Sequence, residues 1–291
     1  MKRAGYILLA LSCAVPFASM QVYAEEEANE AERSIATTSV AIAEILDALD
    51  YGKVVGVPET SGTLPERYEG IQTIGAAMSP DLEILKSIAP DLVLSPGALE
   101  ASLKEQYEAA DLEAKFMNMS SVQGMYDSIL ELGELLNRRE AAEALCGEYE
   151  TYMEAFSSEE AEDKESMILM CFPTGFYVIA TEKSYVGNLV ELAGGHNVYT
   201  DYAGDENGVV SVNPEDMLLK NPDKIFVFAH YNEEEAFAAM EKEFETNSIW
   251  QYYEAVKNEA VYYLPSELFG MSATLEWTDA LEFLKPIFYG E

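Results

Sequence analysis

Residues 78–97 read MSPDLEILKSIAPDLVLSPG, and residues 213–230 read NPEDMLLKNPDKIFVFAH. The two stretches share one plan. A Glu (Glu83, Glu215) stands seven residues before a Pro-Asp pair (Pro90-Asp91, Pro222-Asp223). A short helical run precedes each pair, and an apolar run of strand type follows it. Proline has no N–H to continue a helix, so each pair marks a stop. The unit occurs once in each half, which predicts two equivalent α/β lobes. One copy begins at Met78; the other ends at His230, one of only two histidines.

The same alternation extends through both halves. In SIATTS, Ser and Thr precede the periodic run VAIAEILDALD, a helix start with capping residues. KVVGVP and IQTIG read as strands around the loop SGTLPERYEG. SPDLEILKSIA reads as a helix with Pro80 in its first turn. DLVLS is a strand, LEASLKEQYEAADL a helix and EAKFMNM a strand. In the second half, MILMCF and PTGFYVIAT are strands, and SYVGNLVELAGG is a helix ending at Gly194-Gly195. A helix over 233–245, a helical NSIWQYYEAV, a strand VYYL and a final helix near 274–289 complete the pattern. Helices alternating with strands imply mostly parallel sheets with crossover helices.

Between the halves, residues 121–157 carry the longest helical pattern, with apolar positions at Met125, Ile129, Leu132, Leu135 and Leu136. Roughly 30 residues at 1.5 Å rise span about 45 Å, enough for one backbone helix joining the lobes. Two helices broken near Asn137-Arg138 are the alternative. The expected fold class is α/β, two lobes joined by one long backbone helix. Its segments are an N-terminal lobe over 34–120, the helix over 121–157 and a C-terminal lobe over 165–291. In such sheets ligands sit beyond the carboxyl ends of the strands. Met78 follows IQTIG and His230 follows IFVFA, so both are expected to face one cleft.

Residues 1–24 have the layout of an export signal. Lys2-Arg3 lead the apolar core GYILLALSCAVPFASM, and Val22-Tyr23-Ala24 forms a small-residue cleavage pattern. An acidic leader, 25–33, follows. Cys13 offers a lipid-attachment alternative, but Ala10-Leu11-Ser12 before it favours plain cleavage after Ala24. The expected location is the extracytoplasmic face of the cell membrane. Cleavage leaves Cys146 and Cys171, either as buried thiols or as one disulfide.

Chemistry narrows by exclusion. The chain carries 53 acidic and 17 basic residues among 291, a formal charge of −36. Nucleic acid and anionic membrane surfaces are therefore unfavourable partners. No G-x-S-x-G, G-x-x-x-x-G-K-[ST], G-x-G-x-x-G or H-E-x-x-H occurs. A hydrolytic triad would need one of two histidines, and zinc sites favour several Cys and His ligands. An enzyme is not expected. His196, in GGHNVYT, suits an exposed loop. His230 alone suits a core histidine, and Met78, one of twelve methionines, suits core packing. As a pair on opposite lobes, a thioether and an imidazole form an axial set for haem iron.

The stretches ATTSVAIAEILDALD, VVGVPETSGTLPERYEG, IGAAMSPDLEILKSIAPDLVLS, SVQGMYDSILELGELLNRREAA, GFYVIATEKSYVGNLVELAGGHNV, FETNSIWQYYEAVKNEAVYYL and LFGMSAT cover about 35–275. Through them the chain resembles the bilobed ABC-transporter substrate-binding proteins with a long backbone helix, which carry siderophores, cobalamin or haem. The likeness is greatest to haem receptors of Gram-positive surface haem-uptake systems. That resemblance implies haem b as the transported ligand, with Met78 and His230 as axial ligands. It implies that Thr38, Ser39, Val40, Thr60 and Ser61 lie near the propionates, and that Glu83 and Glu215 dock on permease arginines. The partners it implies are an ABC permease dimer with its ATPase and upstream haem-donor surface proteins. A ferric siderophore or cobalamin is the alternative ligand, and a metal-cluster enzyme subunit on a related fold the alternative class.

Overall fold

The computed structural model describes residues 32–60, 62–156, 164–200, 208–211 and 214–289. The export signal and all but the last two residues of the acidic leader lie outside them. The first half contains β1 (Ile35–Thr37), α1 (Val40–Ala48), β2 (Val54–Gly56), β3 (Gly75–Ala76), β4 (Ser79–Pro80), α2 (Leu82–Ile88), β5 (Leu92–Pro96), α3 (Glu100–Ala109) and β6 (Ala114–Met117). Strands β2-β1-β5-β6 form a parallel sheet, and β3 and β4 form a small antiparallel hairpin.

Two helices follow, α4 (Val122–Leu135) and α5 (Arg139–Phe156). The second half contains β7 (Lys164–Cys171), β8 (Tyr177–Ala180), α6 (Tyr185–Leu192), β9 (Gly195–Asn197), β10 (Val209–Val210), α7 (Pro214–Lys220), β11 (Lys224–Ala229), α8 (Glu233–Thr246), α9 (Glu254–Lys257), β12 (Val261–Leu264) and α10 (Trp277–Tyr289). Its sheet runs β10-β8-β7-β11-β12, with β9 also on β7. The pairs β7–β11, β11–β12 and β7–β9 are parallel, while β8 is antiparallel to both neighbours.

The repeated unit has the same role in each half. It supplies a helix, α2 or α7, and then a central strand, β5 or β11. Asp91 Oδ2 accepts from Ser34 N at 2.6 Å and Ser34 Oγ at 2.7 Å, just before β1. Asp223 Oδ2 accepts from Glu165 N at 3.2 Å, on β7. Each Pro-Asp thus ties a central strand to the central strand beside it, in register. The caps of α2 come from Asp81, whose Oδ1 accepts from Glu83 N and Ile84 N. Pro80 lies in β4 and not in the helix.

Three expectations are corrected. First, 121–157 is not one helix. Leu132 and the residues after it end in a Schellman turn: Asn137 adopts φ 57°, and Arg138 N bonds Gly133 O at 2.7 Å. α5 then folds back along α4, so Cys146 Sγ meets Tyr126 O and Tyr149 OH meets Gln123 Oε1. A Cβ at Gly133 would stand 2.5 Å from Ala142 Cβ, so glycine permits this close approach. α4 and α5, of 14 and 18 residues, are about 21 and 27 Å long and lie side by side. Second, IAT in SIATTS is the sheet strand β1, and the helix starts after Ser39. Third, IQTIG is not one strand: Thr73 makes an isolated bridge to Val57, and Gly75 opens the β3–β4 hairpin.

One hydrophobic core crosses both halves. It joins Ile42 and Leu46 of α1, Met125 and Ile129 of α4, Val186 and Leu189 of α6, and Trp277 and Leu281 of α10. The far faces of the two sheets have separate cores. The halves also share polar bonds: Val122 N to Asn188 Oδ1 (2.9 Å), Ala273 N to Met119 O (2.7 Å) and Trp277 Nε1 to Tyr126 OH (3.0 Å).

Candidate ligand-binding site

Strand order reverses between β1 and β5 in one sheet and between β7 and β11 in the other. Such switch points open a crevice at the carboxyl ends of the strands. At the first, Thr37 ends β1 and Ser39 caps α1 in extended conformation. Thr38 is fully buried, donating its N–H to Leu94 O and its hydroxyl to Ser95 Oγ (2.9 Å). Its side chain serves the sheet. Among the described residues, no acceptor meets the N–H groups of Val40, Ala41 and Ile42, and Ser39 makes no side-chain cap. Three converging N–H groups at a helix start favour a carboxylate.

The neighbouring loop leaves β2 through Val57 and Pro58. Thr60 is exposed there, its Oγ1 accepting from Gly62 N; Ser61 lies outside the described residues. Glu59 N bonds Gly75 O at 2.8 Å, which ties this loop to the β3–β4 hairpin. Met78 sits in the turn of that hairpin with its side chain 66% exposed. Sequence periodicity placed Met78 after a strand; pairing makes that strand a hairpin leaning on the β2 loop.

At the second switch point His230 directly follows β11, and its N–H bonds Cys171 O at the end of β7. The imidazole is half-buried, and its Nδ1 is buried with no hydrogen-bond partner. Burial pushes its pKa below the ordinary 6.5, so the ring is neutral at neutral pH and keeps a lone pair for a metal. Phe172 packs on it at 5.2 Å between centroids and also touches Phe176 (5.5 Å) and Tyr231 (6.2 Å). Phe176 and Tyr231 are each 56% exposed. Sequence reasoning missed this ring cluster; the signal available was the aromatic residue on each side of PTG and directly after His230. Cys171 beside it is buried with its thiol pushed up to about 11, so it offers no thiolate. Cys146 and Cys171 are both free, which removes the disulfide alternative.

Elsewhere, Glu83 lies on the first turn of α2 with a highly exposed side chain, 3.9 Å from Lys86 Nζ. The backbone of Glu215 lies at the equivalent turn of α7; its side chain is outside the described residues. His196 is exposed on β9.

A family profile described as periplasmic binding protein matches residues 35–268. The chain belongs to that family. It is 33% identical over 285 residues to the high-affinity heme uptake system protein IsdE of Staphylococcus aureus strain MRSA252, covering 97% of this chain and 96% of that one. A crystal structure of S. aureus IsdE complexed with heme superposes with a TM-score of 0.82 at 35% identity, over 89% of this chain and 99% of that one. An ABC transporter substrate-binding protein from Listeria monocytogenes EGD-e superposes at 0.83 with 39% identity, over 89% and 100%. The two-lobed α/β fold is therefore that of substrate-binding proteins, which bind cargo and catalyse nothing. Among the described residues no helix is long and apolar enough to cross a membrane.

Proposed function

We propose that this protein captures haem between its lobes and delivers it to an ABC importer for iron acquisition. Haem b is the cargo. Iron is held between the Met78 thioether from one lobe and the His230 imidazole from the other. The observation that carries this reading is His230: a neutral imidazole at a switch point, packed on Phe172 with two exposed aromatics around it. A thioether and an imidazole are a known axial pair for haem. The relative solved with heme, at 35% identity, supports the same cargo.

The free N–H groups at Val40, Ala41 and Ile42 receive a propionate, with Ser39, Thr60 and Ser61 nearby. The loops 37–40, 57–64, 75–80, 172–176 and 229–232 contain no Lys or Arg. An anionic ferric siderophore would want such cations, and a macrocycle with two carboxylates at its rim asks for less. Glu83 and Glu215 face the permease, whose ATPase drives import, and surface proteins pass haem to this receptor. Signal cleavage after Ala24 exports the chain to the extracytoplasmic face of the membrane. Titration with haemin tests the core of this reading. A one-to-one Soret shift with a six-coordinate, low-spin spectrum is expected; an unchanged haemin spectrum removes it.

A further inference from the structure

We infer that Phe176 and Tyr231 form a wall for the porphyrin plane itself, so that the protein also binds iron-free porphyrin. This rests on the cleft reading above and deepens it. Four rings meet at the carboxyl ends of β7 and β11. Phe172 is at the centre, 5.5 Å from Phe176, 5.2 Å from His230 and 6.2 Å from Tyr231. The β7–β8 turn is built to hold Phe176 there: Phe172 N bonds Phe176 O at 3.0 Å, and Gly175 N bonds Phe172 O at 2.9 Å.

The outer two rings are not core residues. Phe176 and Tyr231 are 56% exposed, beside a His whose ring is half-buried. Large aromatics left open to water next to a ligand atom mark surface that a ligand covers. Aromatic faces bind flat π systems by offset stacking and by area removed from water, and neither contribution involves a metal. A chelate recognised only through its iron would need no such wall. The wall therefore contributes affinity for the tetrapyrrole whether or not iron occupies it.

Protoporphyrin IX, which lacks iron, is the probe. Its fluorescence, titrated with the whole protein, should change at one-to-one stoichiometry, and haemin should displace it. Phe176→Ala and Tyr231→Ala should each weaken protoporphyrin IX and haemin by a similar factor, about tenfold. His230→Ala should weaken haemin far more than protoporphyrin IX. Circular dichroism of each variant establishes that the fold is kept. If haemin shifts its Soret band on the protein but protoporphyrin IX does not bind, the wall is wrong and the haem reading stands. The same holds if both aromatic variants bind protoporphyrin IX as tightly as the parent chain. If neither ligand binds, the haem reading fails and the wall with it.

Discussion

His230 and Met78 are unequal ligands. Imidazole nitrogen binds ferric iron strongly, while a thioether is soft and weak toward it. His230→Ala should lower haem affinity by about 100-fold or more, since losing even an outer partner of a metal ligand costs about 10–100-fold. Met78→Ala should cost less, and spectral titration of both variants checks the order. A double variant that keeps the parent spectrum would sink the assignment. The pH dependence has a definite sign. Burial depresses the His230 pKa below 6.5, so the neutral ring persists to lower pH than in a free peptide. Haem should be retained at pH 6.5 and released as pH falls through the lowered value. Stability from this residue is likewise present above 6.5 and lost below the folded value. A release midpoint above 6.5, followed by the Soret band, would contradict this.

At the level of elements, two helix starts are held in opposite ways. α1 leaves its first N–H groups open, whereas α6 closes its own. Ser184 Oγ accepts from Gly187 N at 3.0 Å and donates to Thr181 O at 2.8 Å. This pulls the first turn of α6 against the loop before it. A Cβ on residue 187 would stand 2.0 Å from Thr181 O and 2.9 Å from Thr181 C, both backbone atoms. Backbone cannot swing aside as a flexible side chain does. Gly187→Ala should destabilise the protein by about 1–3 kcal/mol, as overpacking of a tight contact does. Urea unfolding measures it; a midpoint equal to the parent's would show that the loop yields freely.

Across the whole molecule, the lobes are joined by more than a strand. α4 and α5 form a hairpin, and Trp277 of α10 packs edge-on against Tyr149 and Tyr152 and donates to Tyr126 OH. Opening the lobes would expose part of a core that both share. Haem capture should therefore proceed with little hinge closure. Small-angle scattering with and without haem checks it, and a clear fall in radius of gyration on binding would contradict it. The outer acids have a separate role. A carboxylate can accept paired hydrogen bonds from a permease guanidinium. Replacing Glu83 and Glu215 together by Lys should nearly stop haem uptake into liposomes carrying the cognate permease. Haem affinity, titrated alongside, should stay as in the parent. Normal uptake by that double variant would refute docking.

The two lobes were legible in the chain because periodicity is local. Helix and strand type are set by apolar spacing within a few residues, and the Glu-to-Pro-Asp unit repeats that spacing in both halves. Met78 and His230 stood out for the same reason, at the ends of local runs. The Pro-Asp pair was visible, but its work was not: Asp91 and Asp223 act on residues more than fifty positions away. β1 was hidden because three residues ending in Thr look like a cap until two neighbouring strands pair with them. The break at Asn137 was weighed as an alternative, and one residue in the left-handed region decided it. The ring cluster around His230 was not legible at all. Strand register brings Phe172, at the end of β7, to His230, at the end of β11, and register is a long-range pairing that no local pattern encodes. Periodicity determined the two-lobed α/β plan, and likeness to a known family the kind of protein; the pairing of distant strands decided which side chains meet at its site.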